Sequence, residues 1–144
     1  MKKYFFLLAI VLLFQSTQNL LAQTYGKIIS KEEADSLFGE ILESKPVTVS
    51  DFMLILEKSN SYLMFLLEDG ELVIKKEGQE IVYKSGTNEL IGGIFHVFSK
   101  SIIMELLSRG QSEFVLIDRR EKVLCISYEN YILEFGMECP PFCL

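Results

Sequence analysis

The sequence predicts a single α+β domain with mostly antiparallel strands. Two observations support this prediction. Apolar residues recur at helical spacing in 31–44 and 95–109, and short strand-like runs separated by turn residues fill 61–84 and 112–136. With a second, short helix before the first strands, the predicted element order is α-α-βββ-α-βββ.

The first 22 residues have the three parts of a secretory signal peptide. Lys2-Lys3 form a positive n-region, Tyr4–Phe14 an apolar h-region of eleven residues, and Leu20-Leu21-Ala22 a cleavage site with a small residue. The alternative is a retained membrane anchor, but a span needs roughly 20 apolar residues. We therefore predict cleavage after Ala22 and one exported domain, residues 23–144, in the bacterial periplasm or outside the cell, without a further membrane segment.

The charge of the predicted domain excludes an ordinary nucleic-acid-binding surface. Without Lys2 and Lys3, 12 basic residues stand against 20 acidic ones, a formal charge of −8. Phosphate backbones repel such a surface unless one face is locally basic. The only basic clusters, Lys75-Lys76 and Arg119-Arg120, are two residues long. They are better explained as a charged hairpin tip or the outer face of a strand.

The first predicted helix covers residues 31–44. Ser30 precedes it as an N-cap, and Glu33 completes a capping box. Its apolar residues recur three and four apart, as in an amphipathic helix: Ala34, Leu37, Phe38, Ile41 and Leu42. Pro46 is expected to end the helical segment, because proline has no backbone N–H for a helix interior.

A second, shorter helix is predicted to run through about Lys58, with Ser50 or Asp51 as its cap. Val47–Val49 would suit a strand equally well, so this segment stays open. Three strands follow, separated by two turns that each contain a glycine. Their sequences are SYLMFLL, ELVIKK and EIVYK.

Residues 95–109 are predicted to form the most apolar helix of the chain. Apolar side chains cover most of its circumference, which is typical of a buried helix. Gly110 is expected to end it as the C′ residue. Three further strands are predicted after it, with the sequences SEFVLID, KVLCISY and NYILEFG.

The two halves of the chain resemble each other at an offset of 51 residues. Aligning 50–85 with 101–136 without a gap places helix on helix and strand on strand, with five identities. The identical pairs are Ser50/Ser101, Met53/Met104, Leu56/Leu107, Ser61/Ser112 and Ile81/Ile132. The sequence therefore allows an internal αβββ pseudo-repeat, although any two αβββ units would share part of this agreement.

Residues with catalytic potential are few. His96 is the only histidine, and neither a G-x-S-x-G turn nor a phosphate-binding glycine loop accompanies it. One histidine cannot supply the multi-histidine zinc sites of hydrolases. The carboxylates from Glu68 to Glu80 fall at turns and strand ends, where solvated charges are expected. We predict a structural role for His96, no catalytic residue and no cofactor.

Two of the three cysteines, Cys139 and Cys143, stand in the last segment, GMECPPFCL. In an exported protein a pair at this spacing predicts a disulfide. A loop this short would stabilise the fold by about 1–2 kcal/mol at most. The third cysteine, Cys125, is predicted to be a small buried residue in the middle of a strand.

The same segment also fits a metal or redox site. Met137, Cys139 and Cys143 offer the soft sulfur ligands that Cu(I) prefers. The C-x-x-x-C spacing resembles, over five residues, the copper-binding motif of Sco-type assembly proteins. That resemblance implies copper binding or thiol exchange, in a family that carries the motif in a thioredoxin-like fold with a distant histidine ligand.

The leading functional hypothesis is a small exported, non-enzymatic domain that binds a protein partner in the cell envelope or outside the cell. An inhibitor or an immunity-type module would belong to this class. The alternative is a thiol-based copper or redox protein that uses the CPPFC motif. Export, an acidic surface and the lack of a catalytic motif favour the first hypothesis, and the C-terminal sulfur residues favour the second.

Overall fold

Ten β-strands and three α-helices make up the part of the chain that the computed structural model describes, residues 24–87 and 93–139. The strands are β1 (Lys27–Ser30), β2 (Ile41–Thr48), β3 (Tyr62–Glu68), β4 (Glu71–Lys75), β5 (Ile81–Lys84), β6 (Phe95–Ser99), β7 (Phe114–Arg120), β8 (Leu124–Tyr128), β9 (Tyr131–Glu134) and β10 (Met137–Cys139). The helices are α1 (Lys31–Phe38), α2 (Val49–Glu57) and α3 (Lys100–Leu107), and a 3-10 turn covers Glu77–Gln79. The predicted signal peptide lies outside the described residues.

The strands form two five-stranded sheets. Sheet A has the order β1-β9-β8-β7-β2, and sheet B has the order β10-β6-β3-β4-β5. All neighbouring strands are antiparallel. The predicted α+β class with mostly antiparallel strands is therefore confirmed.

The main core lies where the inner faces of both sheets meet α2 and α3. Because side chains alternate along a strand, Leu63 and Phe65 of β3 and Val115 and Ile117 of β7 point into this core. Phe52 of α2, which is fully buried, packs among them. One shared cluster thus joins the sheets and the two helices.

The first predicted helix is correct at its start and wrong at its end. Ser30 Oγ accepts from the N–H of Glu33 at 3.2 Å, as the capping box predicts. The helix stops at Phe38, because Gly39 adopts a positive φ of 74°. Residues 41–48, partly assigned to the helix, are strand β2, which contains Pro46.

Pro46 fits in β2 because this strand lies at the edge of sheet A. The N–H of Val49 donates to the carbonyl of Glu113, and Thr48 lies opposite Phe114. Because hydrogen-bonded residues alternate in an antiparallel ladder, Val49, Val47 and Lys45 face β7. The nitrogen of Pro46 therefore points to the open edge, where its missing N–H removes no ladder bond.

The predicted helix over 95–109 is wrong in its first third. Phe95–Ser99 is strand β6, and α3 begins at Lys100 and ends at Leu107, not at Gly110. A strand buried on both faces has a continuous apolar run that periodicity does not distinguish from a buried helix. The position of β6 between β3 and β10 explains the apolar run.

The predicted element order lacks four strands, namely β1, β2, β6 and β10. Two of them are short end strands: β1 pairs with β9, and β10 pairs with β6. The six strands that were predicted are present, with ends that differ by up to about two residues. The short helix is also present as α2, but its cap is Thr48, whose Oγ1 accepts from the N–H of Asp51 at 3.1 Å. Of the ambiguous segment, Val47 belongs to β2 and Val49 to α2.

The strand that precedes each of α2 and α3 pairs with a strand from the other half of the chain. Both β2-α2-β3-β4-β5 and β6-α3-β7-β8-β9 run in the same order, yet β2 pairs with β7 and β6 pairs with β3. Between β3 and β7, the gap-free offset of 51 places Val115, which faces the main core, on Met64, which belongs to a separate cluster on the outer face of sheet B. An offset of 52 aligns inward Val115 with inward Leu63.

Candidate functional site

Three adjacent apolar side chains are exposed on the outer face of sheet A, and we call them the apolar strip: Pro46, Phe114 and Leu116. Pro46 lies opposite Leu116 in the β2–β7 ladder, and Phe114 is two residues from Leu116 on the same face. Phe114 is 44% exposed and Leu116 is 38% exposed, while their neighbour Val115 is fully buried on the inner face. The strip therefore belongs to a rigid sheet, next to the open edge of β2.

A partly buried hydrogen-bond network holds the sheet beside the apolar strip. Asp118 is 1% exposed and accepts a hydrogen bond from Ser44 Oγ at 2.6 Å. Its second carboxylate oxygen accepts from Ser127 Oγ. Because Ser44, Asp118 and Ser127 belong to three neighbouring strands, this network fixes their side-chain positions and marks one end of the strip.

A cleft of about 430 Å³ opens between the two sheets, where His96 lies. Its lining combines apolar and charged residues: Leu66, Leu67, Glu68, Gly93, Ile94, His96, Arg119, Arg120, Glu121, Lys122, Val123, Leu124 and Glu138. Burial lowers the pKa of His96, and the facing carboxylate of Glu138 acts in the opposite direction. The described lining residues contain no serine, threonine or cysteine, the hydroxyl and thiol nucleophiles that a neighbouring histidine commonly activates.

The hairpin carboxylates serve different structural purposes. Glu77 was expected to be solvated, but its Oε1 accepts from the N–H groups of Asn60 (3.1 Å), Ser61 (2.5 Å) and Tyr62 (3.0 Å). Burial acts to raise the pKa of Glu77, but hydrogen bonds from Ser61 and Tyr62 outweigh it and lower this pKa to about 2. Glu80 instead pairs with Lys76 on the surface. Glu77 differs from the other hairpin carboxylates by its contact with the loop that follows α2. The sequence alone does not reveal which carboxylate makes this contact.

Arg120, expected on an outer strand face, lies on that face but is completely buried next to α1. Its Nη1 donates to the carbonyl of Gly39 at 2.6 Å and pairs with Asp35 at 2.8 Å, while Nε and Nη2 have no oxygen partner and the guanidinium interacts with the Cys125 thiol. Cys125 is fully buried nearby, as predicted. Burial, with help from the carboxylate of Glu134, raises the pKa of the Cys125 thiol to about 12. The thiol is therefore protonated and unreactive at neutral pH.

The C-terminal sulfur residues are only partly within the described chain. Met137 and Cys139 of β10 pack on the outer face of sheet B, and Cys139 is 2% exposed. Cys143 lies outside the described residues, so its disulfide with Cys139 stays a prediction. Within residues 24–87 and 93–139, no group of three His, Cys, Asp or Glu side chains is arranged to hold a metal ion.

Comparisons of the chain with protein families, curated proteins and solved structures found no match. In the described ranges, no helix has both the length and the apolar character that a membrane span requires.

Proposed function

We propose that this chain is an exported, non-enzymatic domain that binds a protein partner in the cell envelope or outside the cell. The observation that carries the proposal is the apolar strip on sheet A. Scattered exposed apolar residues are normal in a folded protein. Adjacent ones on a rigid face, bordered by polar groups, are typical of an interaction site.

The energetics of burial support this role. Covering apolar surface contributes roughly 25 cal/mol per Å² removed from water. Phe114 and Leu116 are held by strand β7, so a partner would order little of this surface on binding. Aromatic residues such as Phe114 are also enriched at the centres of interfaces. An inhibitor or an immunity-type module would use a surface of this kind.

A capture experiment tests the proposed function. The protein is immobilised and exposed to the native envelope fraction, in parallel with the double variant Phe114→Ser, Leu116→Thr. The matched control is Leu54→Ser on α2, where the leucine is 57% exposed and lies away from the strip. We expect a partner that wild type and the control retain and the double variant loses. A monomeric protein that captures nothing, or equal capture by all three, would contradict the proposal.

A second candidate function is a thiol-based copper or redox site formed by Met137, Cys139 and Cys143. The observation in its favour is that Met137 and Cys139 pack in the same cluster on one face of sheet B. The burial of Cys139 makes it the weaker candidate, because a working thiol needs access to its partner. Copper stoichiometry and the reduction potential of the mature protein test it. A strongly reducing disulfide without copper uptake would refute it.

We also propose that the fold consists of two βαβββ pseudo-repeat units. Equivalent hydrogen bonds support this: Val49 N–H donates to the carbonyl of Glu113, and Lys100 N–H to that of Ser61, both at 2.8 Å. In each unit a carboxylate after the second hairpin strand also accepts from the loop after the helix, Glu77 in one and Glu129 in the other. Glu77→Gln and Glu129→Gln should therefore both lower stability, Glu77→Gln by more because its carboxylate accepts four hydrogen bonds and that of Glu129 accepts two, and an effect confined to one would weaken the proposal.

A further inference from the structure

We propose that the apolar strip and the open edge of β2 bind an extended peptide segment of the partner, antiparallel to β2. The segment would place an aromatic side chain over the strip and a basic residue near Thr48. This inference rests on the proposed function and specifies the kind of partner. Sheet B of the same molecule provides the physical precedent for it.

The backbone of β2 offers hydrogen-bonding groups to such a segment. Val49, Val47 and Lys45 face β7, so the N–H of Thr48 and the N–H and carbonyl groups of Ser44 point outward, while the carbonyl of Thr48 belongs to the first turn of α2. Within the described parts of the chain, no strand pairs with this edge. An unpaired row of this kind is a template for strand addition.

In sheet B, the equivalent edge, that of β6, is occupied. The N–H of Lys100 donates to the carbonyl of Ser61, which turns the backbone groups of Ser99, Val97 and Phe95 away from β3. Ser99 N–H donates to the carbonyl of Tyr25 at 2.9 Å, and Tyr25 N–H donates to Ser99 Oγ at 2.6 Å. Beyond Ser99, β10 pairs with Val97 and Phe95.

Side chains of these added segments cover the outer face of sheet B. Tyr25 and Met137 pack against the cluster that contains Met64 and Val97, and both of the latter are fully buried. By position in the fold, Val97 corresponds to Pro46 and Met64 corresponds to Leu116. Both residues are buried in sheet B, where Gln79 from the turn before β5 also contacts Met64, and the corresponding residues in sheet A are exposed.

Pro46 sets how a segment would bind. In β2, Pro46 occupies the position that Val97 occupies in β6, where Val97 pairs with Met137. Because proline has no backbone N–H, Pro46 offers no donor to the open edge. A segment on β2 would therefore be held at Thr48 and Ser44 with one missing hydrogen bond between them. Such an edge discourages uncontrolled sheet addition and limits the affinity for a short peptide.

The charge around Thr48 determines which type of residue is favoured at the N-terminal end of the segment. Asp51 and Glu113 are exposed near this end of β2, and Asp51 Oδ2 accepts from Thr48 Oγ1 at 2.8 Å. An antiparallel peptide has its N-terminal end there, so a lysine or arginine at that end meets two carboxylates. Complementary charges of this kind favour the correct partner and orientation.

The size of the apolar strip favours a peptide over a second copy of this chain. A stable dimer buries about 800 Å² on each partner. Three partly exposed side chains offer at most on the order of a few hundred Å², which is well below that area. Such an area suits the centre of a short peptide contact.

Amide chemical shifts of the ¹⁵N-labelled domain, residues 23–144, test this inference. The probes are the capped peptide Lys-Val-Tyr-Val-Thr and its twin with glutamate in place of lysine, both at millimolar concentration. We expect the lysine peptide to shift the amides of Ser44, Thr48, Phe114 and Leu116. We expect the glutamate peptide to bind several-fold more weakly at low salt.

Three variants make the test specific. Phe114→Ser should abolish the shifts, and Leu54→Ser should leave them unchanged. Pro46→Val restores the missing N–H and should tighten peptide binding about fivefold, the effect of one net hydrogen bond. This gain in affinity is a result that a general loss of folding cannot imitate.

The alternative outcomes overturn the inference in distinguishable ways. No shift with either peptide, in wild type and in Pro46→Val, would refute it. Concentration-dependent shifts at Phe114 without peptide would assign the apolar strip to self-association instead. If envelope capture of a partner depends on Phe114 and Leu116 but neither peptide shifts an amide, the proposed function stands and this inference fails.

Discussion

Glu77→Gln is the most informative single substitution, because one carboxylate oxygen organises the loop between α2 and β3. Glu77 Oε1 accepts four hydrogen bonds, three from backbone N–H groups and one from Ser61 Oγ at 2.9 Å. A glutamine amide keeps the shape and one acceptor oxygen but loses the negative charge. Hydrogen bonds to a charged acceptor are about twice as strong as neutral ones.

The size of the effect follows from the pKa. Hydrogen bonds lower the pKa of Glu77 from 4.5 to about 2 despite the opposing effect of burial. At about 1.4 kcal/mol for each tenfold change in the acid constant, a fully desolvated carboxylate would contribute about 3 kcal/mol. Because Glu77 is only half-buried, solvent screening reduces the expected loss to about 1–2 kcal/mol. For a domain of this size that corresponds to a decrease in Tm of about 3–8 °C.

The sign of the pH dependence is fixed by the lowered pKa. This contribution of Glu77 is present above pH 4.5 and is lost as the pH falls through about 2. Denaturant unfolding of wild type and Glu77→Gln between about pH 2 and about pH 7 measures it. The control is Glu80→Gln, whose exposed carboxylate pairs with Lys76. If the free-energy difference between wild type and Glu77→Gln is the same at both ends of this range, the argument from the pKa is wrong.

Three further predictions concern buried groups and the C-terminal segment. Arg120→Met should leave the free energy of unfolding unchanged or raise it by about 1 kcal/mol, because it replaces a buried cation, whose partner Asp35 is exposed to water, with an apolar side chain of similar length. Arg120→Ala should lower it by about 2–3 kcal/mol through a cavity, and chemical denaturation compares the two variants. Burial raises the pKa of Glu134, so its stabilising contribution is present below pH 4.5 and is lost as the pH rises through the folded pKa. Glu134→Gln should therefore be more stable than wild type at neutral pH. Equal thermal melts of the two proteins at neutral pH would contradict this. If Cys139 and Cys143 form the predicted disulfide, thiol titration of the unfolded, unreduced mature protein should find one free thiol, whereas three would contradict it.

The local signals in the sequence located many element boundaries. The Ser30 capping box starts α1, and the turns around Gly70 and Gly78 separate β3, β4 and β5. These features are readable because caps and turns depend on residues within about four positions. The α+β class follows from the same local patterns.

The exposed surface of the candidate site was not predictable from such signals. Phe114 and Leu116 were assigned to a strand, but only the pairing of β7 with β2 and the position of α1 decide which strand face stays uncovered. The binding mode of Glu77 depends equally on a loop some sixteen residues away. Contacts between distant segments are set by how the sheets stack, which local periodicity does not encode.

The sequence by itself determined the class of this protein, most of its strands, its acidic charge and the expectation that it is exported. Only the tertiary structure decided that Pro46 lies in an edge strand, that Phe95–Ser99 is a strand and that Arg120 is buried. The reason is common to all three. An apolar run, a proline or an arginine is compatible with more than one local conformation, and the choice is made by which distant strand or helix covers it.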